Sequence, residues 1–146
     1  MVNFRGFLDA IKGVVNTKLT EDNKLAKECA ITLLQNLSSI PKGTTSKEGP
    51  KKVLNHPGLI DAIHDIISEE ASEMNKVSRK NALLCCQNLS FPADLRAKLF
   101  QATGGKFFEA LVATASDLTN PHNEITSVKA MLVIANMANK KEVSSI

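Results

Sequence analysis

Apolar residues recur at three- and four-residue steps along most of this 146-residue chain, and each run ends in a polar break. Phe4, Phe7, Leu8, Ile11, Val14 and Val15 form the first stripe, the spacing of a helix with one buried face. After a break at 16–19, Thr20 reads as an N-cap with Glu21 and Asp22 on the positive end of a second helix. That helix runs to about Leu37, with Leu25, Cys29, Ile31, Leu33 and Leu34 as candidate core and Ala26 and Ala30 allowing a close neighbour. A polar loop at 38–49 follows, then a short helix opened by Pro50 and carrying Val53 and Leu54. Pro57-Gly58 precedes a stripe of Leu59, Ile60, Ile63, Ile66 and Ile67, and a charged turn at 68–75 leads into a helix over 76–89. The same order then returns. Phe91-Pro92 breaks the chain, 94–102 predicts a short helix, and Gly104-Gly105 turns into Phe107, Phe108, Leu111, Val112 and Leu118. Asn120-Pro121 breaks again before Ile125, Val128, Met131, Leu132, Ile134 and Met137.

The repetition extends to identity. Gln-Asn-Leu-Ser ends two long runs, with Asn88 placed 52 residues after Asn36, and Asn136-Met137-Ala138 ends a third run 48 residues later. The loop at 38–49 accounts for the longer interval. Gly58 and Gly105 lie 47 residues apart at equivalent joints, where a positive φ lets two helices meet at a steep angle. A period of this size predicts stacked helical units. The whole of 1–146 therefore reads as one all-α domain, with a partial repeat at 2–40, repeats at 50–90 and 93–139, and the start of a further helix at 140–146.

The order of short helix, glycine, middle helix, polar turn and long helix resembles the armadillo repeat, whose related two-helix alternative is the HEAT repeat. Pro50 to Ile60, Asp94 to Gly105 and the two Gln-Asn-Leu-Ser endings carry the resemblance, which covers nearly the whole chain. The spacings of 52, 48 and 47 residues are longer than the roughly 42 expected of an armadillo unit. The resemblance implies a right-handed α-solenoid of about two and two-thirds units. It also implies that the third helices line a concave face where an Asn near each C-terminal end holds the backbone of an extended peptide. Asn36, Asn88 and Asn136 match that position. Members that bind basic import signals carry a Trp one turn earlier, where this chain has Thr32, Leu84 and Leu132; an import-receptor role is therefore not expected. Another turn back lie Glu28, Lys80, Asn81 and Lys129, of which Glu28, Lys80 and Lys129 would set charge preference. The same asparagines have a purely architectural reading, as donors to backbone at helix ends.

Charge and composition narrow the function. The net charge is +3, with neither Trp nor Tyr, which disfavours a nucleic-acid binder built on a basic stripe and stacking aromatics. The alternative kept open is nucleic-acid binding through Lys42, Lys47, Lys51 and Lys52. Three cysteines, Cys29, Cys85 and Cys86, make a poor disulfide framework and read as small core residues in a reducing cytoplasmic setting, with nuclear or cytoskeletal association open. The N-terminal run holds Arg5, Asp9 and Lys12 and does not read as a signal peptide, and no apolar stretch is long enough to span a membrane. His56 and His122 read as loop residues, and His64 with Asp61 and Asp65 is too sparse for a metal site. No phosphate loop or nucleophile motif is present. The expectation is a non-enzymatic interaction scaffold needing no metal or cofactor. Its partner would be a protein or peptide, with self-association through apolar ends.

Overall fold

The computed structural model describes residues 4–103 and 105–138. Each apolar stripe becomes a helix: α1 Phe4–Val15, α2 Lys24–Leu37, α3 Glu48–Asn55, α4 Leu59–Ser68, α5 Lys76–Ser90, α6 Ala93–Thr103, α7 Lys106–Ser116 and α8 Glu124–Ala138. A 3-10 turn, Pro121–Asn123, leads into α8, and the described residues contain no strand. None of these helices is long and apolar enough to cross a membrane.

Helix packing follows the repetition in the sequence. Besides its chain neighbours, each helix packs on the helix three further along: α1 on α4, α2 on α5, α3 on α6, α4 on α7 and α5 on α8. Their stripes meet in one continuous core through Leu8 and Ile11, Ile31 and Leu34, Leu59 and Ile63, Leu83 and Leu89, and Leu111 and Val133. Full enclosure of each such side chain contributes about 2 kcal/mol. Polar contacts between helix ends and loops span nearly the same interval. Lys12 Nζ donates to the Pro57 carbonyl at 3.0 Å, Lys47 Nζ to Asp94 at 2.9 Å, and Asn120 Nδ2 to the Ala71 carbonyl at 2.8 Å. Gly58 and Gly105 have φ of 78° and 86°, the left-handed geometry expected at the joints into α4 and α7.

The entry to each long helix is built by a motif the hydrophobic pattern did not reveal. Thr20 Oγ1 accepts from the Asn23 amide while Asn23 Oδ1 accepts from the Thr20 amide, and Ser72 with Asn75 repeats the pair 52 residues on. Asn23, Asn75 and Asn123 each donate Nδ2 to a carbonyl five or six residues earlier, of Lys18, Glu70 and Asp117. Thr20 therefore closes the turn before α2, and the helix itself starts at Lys24. One turn into each long helix, Lys27, Arg79 and Ser127 donate to Thr17, Ile67 and Ala115, carbonyls at or just past the end of the preceding helix. Those carbonyls have no intrahelical donor, so a buried side chain at this place satisfies them.

Several expectations need correcting. Cys29 is exposed, unlike Cys85 and Cys86. Leu25, Leu33 and Leu118 are also exposed, because no described element covers that side of α2 or the segment after α7. His56 does lie in the loop after α3, as expected, and the bend there turns it onto α1, where it is buried with its Nε2 2.8 Å from Asp9 Oδ1. Gly104 and the further helix expected at 140–146 lie outside the described residues.

Candidate interaction face

Helices α2, α5 and α8 lie side by side, so the positions at 52- and 48-residue intervals form rows across one face. The Asn row runs Asn36, Asn88, Asn136. Asn88 Nδ2 donates to the Gln35 carbonyl at 3.1 Å, and Asn136 Nδ2 donates to Ser90 Oγ at 3.2 Å. Each therefore reaches back to the long helix of the preceding unit. An amide side chain has two N–H donors and one oxygen, so the bond just described leaves the other N–H and Oδ1 for further contacts. No long helix precedes α2 among the described residues; Asn36 is exposed, and its side chain makes no hydrogen bond among them.

The row one turn earlier is Thr32, Leu84, Leu132. Thr32 is exposed, Leu84 is half-buried, and Leu132 is 41% exposed, which makes the middle of the face apolar. Thr32 Oγ1 donates to the Glu28 carbonyl and accepts from Asn81 Nδ2 at 3.0 Å. Asn81 is thereby buried in the α2–α5 seam and holds the seam together. Glu28, Lys80 and Lys129 are half-buried on the outer row. Glu28 Oε1 is enclosed without a hydrogen-bond partner, and neither lysine pairs with a carboxylate among the described residues.

Two hollows flank these rows. One, of roughly 350 Å3, lies where α5 and α8 begin, with Lys76, Val77, Lys80, His122 and Ile125 in its walls. Glu73 sits at its rim, 2.8 Å from Lys76 Nζ and 3.5 Å from His122 Nδ1; the Lys76 hydrogen bond holds its carboxyl below the usual range. The other, of roughly 370 Å3, lies where α2 and α5 end, between Ile40, Gln87, Asn88 and Phe91. Phe91 is 75% exposed there, and Gln87 Oε1 is enclosed with no donor. An apolar strip with amides at one end and cations at the other suits an extended segment that offers backbone groups and acidic side chains.

No family model, curated protein or solved structure matches this chain.

The remaining chemistry-bearing residues lie off this face or are engaged in the fold. Burial pushes the Cys85 thiol up to about 12, and pushes Cys86 well above its ordinary value, so both stay protonated near neutral pH. His64 sits 8% exposed between Asp65 and the Phe107 ring, its centroid 6.0 Å from that ring. Among the described residues, no group of three or more His, Cys, Asp or Glu is placed to hold a metal ion. In the basic loop region, Lys42 and Lys51 are exposed, and Lys47 is committed to Asp94, whose carboxyl its hydrogen bond holds below the ordinary range.

Proposed function

We propose that this chain is a non-enzymatic protein-interaction scaffold, an armadillo-like right-handed α-solenoid whose long-helix face receives an extended segment of a partner protein. The observation that carries the reading is the row Asn36, Asn88 and Asn136 across α2, α5 and α8, where each amide keeps hydrogen-bonding capacity beside an apolar strip. Stacking of each helix on the third one along supports the solenoid part. Lys80 and Lys129, without paired carboxylates, favour acidic residues in the bound segment. A nucleic-acid role for the 42–52 region has less behind it, since Lys47 is neutralised by Asp94.

A displayed library of random extended peptides, selected on the immobilised full chain, supplies the ligand for a test. Enriched peptides should carry Asp or Glu and bind the Lys80→Ala, Asn88→Ala double variant at least about tenfold more weakly, about 1.4 kcal/mol. The helical circular dichroism should persist. Equal affinity for the folded variant, or enrichment that ignores this face, would overturn the assignment.

A further inference from the structure

The interior long helix α5 has two docking sides, and among the described residues no helix covers the equivalent outer side of α2 or of α8. Toward α2, α5 places Asn81, Cys85 and Asn88, which donate to Thr32 Oγ1, the Ile31 carbonyl and the Gln35 carbonyl. The same places on α2, 52 residues earlier, hold Cys29, Leu33 and Asn36, and all three are exposed. Leu33 is 44% exposed where Cys85 is 0%. Toward α8, α5 presents Leu83, Cys86 and Ser90, the last accepting from Asn136. Their equivalents on α8, 48 residues later, are Met131, Ile134 and Ala138; Met131 is 48% exposed where Leu83 is 0%. At the 48-residue interval that matches Ile67 with Ala115, the middle helices agree: His64 on α4 lies against the Phe107 ring of α7 while its equivalent Val112 is exposed.

We infer that two copies of this chain dock head to tail, α2 of one seated on α8 of the other. The occupant follows from continuity with the interfaces inside the chain. The first end carries the positions with which α5 docks onto α2, and the last end carries the positions with which α5 receives α8. Asn36 of one copy would then donate to the Ala135 carbonyl of the other, as Asn88 donates to its equivalent at Gln35. Leu33 would close over Met131, bringing two exposed apolar side chains out of water. Such a contact uses different surfaces on the two copies, so it does not close on itself and adds copies in a line. The inference rests on the repeat stacking invoked for the scaffold, but it uses the outer sides of α2 and α8 and shares only Asn36 with the long-helix face.

Leu33→Glu blocks one end and Met131→Glu the other, both at exposed helical positions where a charge leaves the fold intact. Sedimentation equilibrium of the full chain from about 1 µM to about 1 mM should show an average mass that rises past the dimer. Each variant alone should stay monomeric. Their equimolar mixture should form a one-to-one dimer and stop, because each partner contributes its one intact end. A wild-type mass that stays monomeric throughout, as for a chain whose ends take other occupants, would overturn the inference. A mixture that fails to pair would do so as well. One variant associating like wild type would mean symmetric pairing through a single end, and also sinks it. Selected peptides are titrated into the same variants. Peptide binding retained without self-association overturns the docking alone, and association without peptide binding overturns only the face.

Discussion

At the scale of residues, the same position in successive units carries different chemistry with the same task. Lys27, Arg79 and Ser127 all donate to a carbonyl at or just past the end of the preceding helix, and only Arg79 also reaches forward, to Asn123 Oδ1 at 2.8 Å and Thr126 Oγ1 at 3.1 Å. The cysteines show the reverse, similar chemistry in different surroundings. Cys29 is exposed on α2, while Cys85, against the Ile31 carbonyl of α2, and Cys86 are sealed in the core. At pH 8 a chromogenic disulfide reagent should therefore titrate one thiol in the folded chain and three in denaturant; three fast thiols in the native state would contradict this packing. The buried pair also ties stability to pH. With Cys85 raised from 9.0 to about 12, both states hold the proton below about 9, and above that only the unfolded state releases it. The unfolded state then binds fewer protons, so stability falls as pH rises from about 9 toward 12, and Cys85→Ala should make that fall shallower.

Single elements respond to glycine in opposite directions. Gly49 lies in α3 where a Cβ would sit 2.5 Å from the Leu37 carbonyl oxygen, so the end of α2 rests directly on the α3 backbone. Gly13, in the last turn of α1, has nothing within 4 Å of the equivalent position. Gly49→Ala should cost about 1–3 kcal/mol by forcing two backbones apart, and Gly13→Ala should add about 0.5 kcal/mol by favouring the helix. Urea melts of the two variants displaced in the same direction would be inconsistent with this contact. The element pattern was legible because a 3.6-residue period marks every buried face: the stripes at 59–67 and 107–112 became α4 and α7. What stayed hidden were contacts made far along the chain. Nothing local to His56 announces Asp9, and the Thr20–Asn23 and Ser72–Asn75 pairs resemble ordinary turn residues until their 52-residue spacing is noticed. The candidate face divided in the same way. Its rows followed from the period, but the burial of Asn81 came from its bond to Thr32, a contact across units.

For the whole molecule, helices that each pack on the third one along leave stability unevenly distributed, with the inner helices enclosed on more sides than the outer ones. Helix α5 packs on α2, α4, α6 and α8, whereas α1 packs chiefly on α2 and α4. Ala82, Leu83, Cys85, Cys86 and Leu89 on α5 are all enclosed, and its flanks are pinned by Asn81, Asn88 and Arg79. Local opening should begin at the ends, so amides of α5 should exchange with solvent deuterium at least about tenfold more slowly than those of α1. Uniform protection over both helices would mean that the molecule opens only as one cooperative unit. Concentration supplies a second axis to the same measurement. If copies add end to end, exchange in α2 and α8 should slow as the protein is concentrated, because those are the helices that gain a neighbour. Exchange in α5 should not respond, because both its docking sides are already filled within one chain. Slowing confined to the middle of the long-helix face would instead locate the contact between copies on the surface assigned to a partner segment.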